Sequence, residues 1–383
     1  MNITMLVLSA FINDARIHKE AMTLASAGNN VLIIALWKPG LPQIEQNYGY
    51  HVLRLKLYSR KWKNHLLSPP IKYLEYAIQV WLLAGHEPAH VYHANDANTL
   101  PAAWLASKRN HAKLVYDAHE LETGRNFSGS SIAGIYRSIW SFPEKFFIHK
   151  VHSIITVSPM IADELVRIYQ IPPPHVIYNC PEKASESFSN RIYRELKIST
   201  NLNILLYQGN VTNGRGIEAF FNAVQLIDNV VGVVLGDGPA LEMFRYRVHA
   251  GEWKRIVLPG KVPLIDLPSY TASSTIGIVL TQDTCLNHRL TLPNKLFEYI
   301  HAGLPVVCSN LPAMAQIVNE YQIGEVVEPE DPTSIANGIR SILGDPNYYE
   351  QLKLNTIKVT EIFNWNNESQ KLLEIYRNLL SVV

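Results

Sequence analysis

Between Leu292 and Val307 the chain runs Leu-Pro-Asn-Lys-Leu-Phe-Glu-Tyr-Ile-His-Ala-Gly-Leu-Pro-Val-Val, which sets a helix start, a carboxylate one turn along and a buried strand in succession. Pro293 suits the first position of a helix, where its missing N–H costs nothing, and the amides of Asn294, Lys295 and Leu296 are then open to an anion. Glu298 follows three to four residues later and shares a helix face with Asn294 and Lys295. A carboxylate so placed can accept both hydroxyls of a ribose whose diphosphate rests on the helix start. The segment therefore predicts a nucleotide-sugar pocket. Gly303 supplies the helix stop ahead of the strand that opens at Pro305.

Other chemistry-bearing residues gather just after apolar runs, where open parallel sheets bind their ligands. Asn13, Asp14 and Arg16 follow the first run, Asn95 and Asp96 the fourth, and Asp117, His119 and Glu120 the fifth. His119 can exchange a proton near neutral pH or hydrogen-bond a sugar hydroxyl, with Asp117 and Glu120 orienting it or the acceptor. A histidine at a strand end can equally be a satisfied polar residue. In the second half Gly209 and Asn210 lead into Gly214-Arg215-Gly216, where Arg215 can donate paired hydrogen bonds to phosphate oxygens. Gly236-Asp237-Gly238-Pro239 is a strong turn signal whatever else it does. Lys261 and Val262, beyond the next run, complete the expected donor-binding set. The chain has no Asp-x-Asp pair, and Cys285 with His288 lacks a second pair of ligands, so no metal or other cofactor is expected. Arg215, Lys295 and helix dipoles must then neutralise phosphate charge.

Positioning these groups requires parallel sheets covered by helices, and strand-like and helix-like runs do alternate along the chain. Strands are expected at 3–8, 31–36, 52–57, 89–93, 114–117, 153–157 and 175–178, with helices such as 16–27 and 161–169 between them. The plan repeats at 204–208, 230–235, 255–258, 275–280, 305–308 and 325–327. The reading is α/β, with two doubly wound Rossmann-like domains, residues 1–180 and 190–364, facing across a cleft. The breaker Ile171-Pro172-Pro173-Pro174 and the polar stretch 181–190 place the linker. A last helix over 365–383 joins the second domain or crosses back to the first.

At 383 residues the chain exceeds a single core, and 47% hydrophobic with 17% charged residues describes a well-packed protein. A net charge of +1 gives no global attraction to nucleic acid. Three scattered cysteines point to a reducing, cytoplasmic setting, and neither a signal peptide nor a membrane span is indicated. One segment departs from neutrality. Arg54, Lys56, Arg60, Lys61 and Lys63 are interleaved with Tyr58 and Trp62 without an acid until Glu75. It is either a solvated face or a site for an anionic membrane surface, on whose inner leaflet a lipid-linked acceptor would be presented. The run from Trp140 to Lys150, with Phe142, Lys145, Phe146 and Phe147, is a second such candidate, and a buried helix explains it equally well.

Together, Asn13-Asp14-x-Arg16, Tyr116 to Leu121, Val176-Ile177-Tyr178-Asn179, Gly236-Asp237-Gly238-Pro239 and the 293–307 block resemble the family-four glycosyltransferases of the GT-B fold. The resemblance implies metal-independent, typically retaining transfer of a sugar from a UDP- or GDP-linked donor to a saccharide or lipid-linked acceptor. It further implies that Glu298 holds the ribose, that the amides of residues 294–296 hold phosphate, and that His119 lies over the donor sugar. Two positions depart from the family pattern. Leu290 stands where a second glutamate is common, so one donor contact is absent or supplied by a neighbour such as Asp283. Asn210 stands where many members carry arginine, which leaves Arg215 as one cation of the usual pair, with Arg16 a candidate to compensate. The reading is a glycosyltransferase of bacterial surface polysaccharide synthesis. A nucleotide-sugar epimerase and a degenerate, partner-binding subunit are the alternatives.

Overall fold

A computed structural model describes residues 1–12, 14–61, 68–124, 142–182 and 189–381. The chain divides into two compact units, Met1–Tyr178 with Glu368–Val383, and Asn179–Asn367.

The first unit is built on eight strands: β1 (Asn2–Leu6), β2 (Asn30–Leu36), β3 (Ile44–Asn47), β4 (Tyr50–Leu55), β5 (Val91–Asn95), β6 (Lys113–Ala118), β7 (Ser153–Thr156) and β8 (His175–Val176). Their order across the sheet is β3-β4-β2-β1-β5-β6-β7-β8, parallel except where β3 meets β4. The strands are apolar and buried because helices cover both faces of a parallel sheet. The antiparallel β3 was not expected. Its sequence Ile-Glu-Gln-Asn carries one apolar residue, as befits an edge strand, and Tyr48 and Gly49 turn it with φ of 42° and 87°. The proline run at 172–174 precedes β8, which pairs with β7, so it lies within this unit and not between the two.

The second unit carries β9 (Asn203–Asn210), β10 (Val230–Asp237), β11 (Ile256–Gly260), β12 (Ile276–Val279), β13 (Val306–Ser309) and β14 (Gly324–Val327), ordered β11-β10-β9-β12-β13-β14 and parallel throughout. Its core includes Phe221, whose ring centroid lies 5.4 Å from that of Phe244 and 5.2 Å from that of Trp253. Helix starts follow a repeated device: Ser158-Pro159, Asp331-Pro332 and Asp345-Pro346 each put an accepting side chain at the cap and proline directly after it.

Both sheets reverse direction once in their connectivity, between β1 and β5 in the first and between β9 and β12 in the second. The carboxyl ends at such a reversal are where helices leave to opposite faces and open a crevice. Four segments follow those ends, and most of the polar residues singled out in the sequence stand on them or on their neighbours.

The final helix Trp365–Ser381 enters the first unit at Glu368 and buries Leu372, Ile375, Tyr376 and Leu379. Glu368 accepts the Tyr178 N–H at 2.9 Å, and the Tyr376 hydroxyl meets His93 Nδ1 at 2.6 Å. Among the described residues no helix is long and apolar enough to cross a membrane.

Candidate functional site

In the second unit, Gly209 closes the buried part of β9 with φ of 117°, and a Cβ there would lie 3.5 Å from Lys295 Cε. The loop returns through Gly216, whose φ of 62° favours glycine and where a Cβ would sit 2.6 Å from the Leu280 carbonyl oxygen after β12. The Gln282 N–H donates to the Gly214 carbonyl at 2.9 Å, which ties the two switch-point loops together.

The helix Asn294–His301 begins beside these loops. Pro293 is its cap, one position earlier than the sequence suggested, with φ of −70° and ψ of 140°. The Leu296 N–H donates to the Pro293 carbonyl at 2.9 Å and its side chain is fully buried. Leu296 is therefore corrected from donor contact to core residue, leaving the amides of Asn294 and Lys295 at the helix start. Asn294 is exposed and its Oδ1 accepts from Asn179 Nδ2 at 2.9 Å. At the other end Gly303, with φ of 69°, donates to Ile300 and Leu304 donates to Tyr299, each at 3.0 Å, closing the helix as expected for a left-handed glycine stop.

Lys295 folds its ammonium over the Tyr207 ring, 3.5 Å from the centroid. Burial, and next the neighbouring Arg215 cation, pull its pKa down to about 7 against the opposing pull of Glu298. Lys295 and Arg215 thus repel one another, with Glu298 acting in the opposite sense, an arrangement suited to a diphosphate. Glu298, partly exposed one turn along, receives a hydrogen bond from Gln208 Nε2. Gln208 was not singled out in the sequence. A glutamine ending an apolar run carries no signal of its own.

The remaining donor candidates are placed less centrally. Asn210 is exposed opposite Asp237, whose Oδ1 accepts its own turn's Gly238 N–H at 2.8 Å. Gly236 lies against Gly209, with a would-be Cβ 1.8 Å from the Gly209 oxygen, so strand packing alone requires glycine there. Lys261 and Val262 follow the edge strand β11, two strands from β9. Asp283 is exposed and lies 3.7 Å from Arg289, and Leu290 ends the short helix Leu286–Leu290. His288 Nδ1 lies 2.9 Å from Thr284 Oγ1 and 3.0 Å from the Gln282 carbonyl.

In the first unit, charge converges on Asp117 at the end of β6. Arg16 grips both its oxygens, Nε to Oδ2 and Nη2 to Oδ1, each at 2.8 Å, and donates from Nη1 to the Ile177 carbonyl at 2.9 Å. Arg16 is 3% exposed. Its expected roles in holding an acceptor or compensating for Asn210 are corrected: its donors are committed inside the unit. Burial opposes the Asp117 charge, but Arg16 and His119 outweigh it and hold the carboxylate well below its usual range.

His119 donates from Nε2 to Asp117 Oδ2 at 2.8 Å, while Nδ1 faces Asp96 Oδ1 at 3.6 Å. Its side chain is 18% exposed. Burial disfavours its charge, yet the two carboxylates prevail and raise its pKa to about 10. Of the roles the sequence left open for His119, the raised pKa disfavours proton exchange near neutrality and favours a positively charged ring that positions and stabilises. Asp96 reaches it from φ of 65° and ψ of 157°, a conformation that non-glycine residues rarely adopt, held by its N–H on the Asp117 carbonyl at 3.0 Å.

Three further expectations change. Asn95 is buried and its amide donates to the Leu6 carbonyl at 3.0 Å, so it is structural. Asp14 caps the helix Ala15–Ser26 by accepting the Ile17 N–H at 3.2 Å. Arg54, placed with the membrane-facing residues, is 3% exposed and bonds Glu45 Oε2 at 2.6 Å and the Ala10 carbonyl at 3.1 Å. Lys56 lies over the Trp37 ring at 4.7 Å. Asn13, Trp62 and Lys63, and the side chains of Arg60 and Lys61, lie outside the described residues, and Glu120 is partly buried beside His119.

Glu20, His93 and Asp117 bring ligand-type atoms within 4.8 Å of one another. Both Asp117 oxygens already serve Arg16 and His119, and Arg16 Nε lies 3.1 Å from Glu20 Oε1, so the cluster is a buried ion-pair network. Burial, then repulsion from Asp117, raises the Glu20 carboxyl to about 8.

Residues 189–359 match the family described as Glycosyl transferases group 1, and residues 16–181 the one described as Glycosyltransferase Family 4. An uncharacterized glycosyltransferase of Methanocaldococcus jannaschii is 24% identical, over 88% of this chain and 87% of its own length. Among solved structures, sucrose-phosphate synthase from Thermosynechococcus elongatus superposes with a TM-score of 0.83 at 18% identity over all of both chains. HepE of Anabaena, in complex with UDP-glucose, gives 0.74 at 14% identity over 99% of this chain and all of its own. With both halves matched and the architecture shared, the chain belongs to the group 1, family-four glycosyltransferases and has the GT-B fold.

Proposed function

We propose that the second unit binds a UDP- or GDP-linked sugar and that the protein transfers this sugar, with retention and without a metal, to a saccharide or lipid-linked acceptor of bacterial surface polysaccharide synthesis. The carrying observation is the pairing of Lys295 and Arg215 at the switch point with Glu298 one turn along the same helix. The cations face the diphosphate, Glu298 accepts the ribose hydroxyls, and the leaving phosphate itself takes the acceptor proton. In the first unit Asp117 and Asp96 hold His119 as an imidazolium, the group that the family resemblance assigns to the donor sugar. HepE having been solved with UDP-glucose favours a uridine donor.

Thermal shift of the purified protein against UDP-, GDP- and ADP-sugars tests the donor reading, because a ligand bound only by the folded state raises its stability by mass action. Glu298→Ala should abolish most of the shift. No shift with any donor, or one that survives this substitution intact, would overturn the assignment.

The lipid-linked acceptor draws support from one outer face of the first unit. The helix Ser68–His86 exposes Leu74, Ile78, Trp81 and Leu82 at helical spacing, and the helix Leu100–Arg109 exposes Leu105 with Lys108 and Arg109. The Arg109 guanidinium covers the Trp81 ring at 4.0 Å, joining the two helices in one patch. Glu75, the one acid in these helices, is turned onto Ser59 and Tyr58. An apolar surface edged by cations and an aromatic suits an anionic bilayer. Trp81→Ala with Ile78→Ser should reduce sedimentation with phosphatidylglycerol vesicles, and equal recovery of wild type and variant would return the face to solvent.

A further inference from the structure

We propose that Gln208 is a positioning residue that aims the Glu298 carboxylate at the donor ribose, an inference resting on the reading of Glu298 as the ribose ligand. Gln208 is the last buried residue of β9, 2% exposed, directly before the Gly209 turn. Its backbone N–H donates to the Tyr299 hydroxyl at 3.0 Å, and that hydroxyl donates to the Leu206 carbonyl at 2.9 Å. Tyr299 in turn fills the space left by Gly277 on β12, where a Cβ would lie 2.3 Å from its ring. The strand end and the helix are thus pinned together one residue away from Glu298.

The side chain completes the arrangement. Gln208 Oε1 lies 2.9 Å from Thr271 Oγ1, and Nε2 bonds Glu298 Oε2. The Thr271 hydroxyl has one proton and two acceptors in reach, the other being the Leu267 carbonyl at 2.9 Å. Because an ionised carboxylate offers no proton, the glutamine must present its amide nitrogen to Glu298 and its oxygen to Thr271, which therefore donates to it. This two-bond relay fixes the rotation of the amide and holds one oxygen of the carboxylate.

The test compares binding of UDP with that of its 2′,3′-dideoxy analogue by calorimetry, in wild type, Gln208→Leu, Thr271→Val and Glu298→Ala. Wild type should prefer UDP, and Glu298→Ala should lose that preference. Gln208→Leu is expected to weaken UDP about tenfold, the scale of a lost hydrogen bond to a charged group, while leaving the dideoxy analogue unchanged. Thr271→Val should act in the same direction and more weakly, and serves if Gln208→Leu folds poorly. Equal weakening of both nucleotides, or of neither, would overturn the positioning role while leaving Glu298 as the ribose ligand. A wild type or Glu298→Ala variant that departs from its expected preference would instead overturn the ribose reading and this proposal with it.

Discussion

Lys295 gives the most demanding prediction, because the fold withholds a proton that a donor should restore. Burial and the neighbouring Arg215 hold its pKa at about 7, so above neutrality the free protein carries a mostly neutral amine over the Tyr207 ring. A bound diphosphate favours the ammonium and should return the pKa toward the ordinary lysine value of about 10.4. Binding then takes up a proton at pH above 7 and none well below it, so affinity must fall as pH rises. With those two values the donor dissociation constant should increase roughly fiftyfold from pH 7 to pH 9, about 2.3 kcal/mol. The assay is calorimetry with a nucleotide sugar whose diphosphate stays fully ionised across this range, run in two buffers of different ionisation enthalpy. Near pH 8 the difference between buffers should report close to one proton bound. Lys295→Met should bind weakly and with a flat pH profile. Affinity that is level from pH 7 to 9 in the wild type, or a slope that persists in Lys295→Met, would refute the placement of phosphate at this lysine.

Other consequences concern the first unit. His119 titrates at about 10 against an ordinary 6.5, so its stabilising contribution is complete below 6.5 and is lost as pH climbs through 10. Asp96→Asn should lower the midpoint of its ring resonance, read by NMR, and an unchanged midpoint would remove Asp96 from the network. Because Asp96 sits at φ of 65° and ψ of 157°, Asp96→Gly should be more stable than Asp96→Ala by ~1–2 kcal/mol in urea denaturation although neither has a carboxylate. Equal stabilities would mean that the backbone is not strained. Arg16→Met should cost ~3–5 kcal/mol, since it leaves Asp117 buried without its bidentate partner, and a loss below 1 kcal/mol would show that the carboxylate finds relief elsewhere.

What the sequence determined by itself is local. Apolar runs placed thirteen of the fourteen strands among the described residues in kind and position, because a strand buried on both faces must be apolar along its length. The exception is β3, whose pairing is with one neighbour and whose single isoleucine gives no alternation to read. The 293–307 block was legible because its helix start, carboxylate and glycine stop are consecutive, so spacing alone places Glu298 one turn from Asn294. Tertiary structure decided the allegiance of charged residues. Arg16 and Asp117 are 101 residues apart, and nothing in either neighbourhood says that one guanidinium will be spent on one carboxylate. Arg54 likewise resembled its basic neighbours until β4 turned it inward onto Glu45. Gln208 became visible only through Thr271 and Glu298, 63 and 90 residues away, and His119 became a fixed cation only when Asp96 and Asp117 closed on it from two strands. Backbone periodicity is written in neighbours along the chain, whereas charge is set by neighbours in space, and folding alone brings those together.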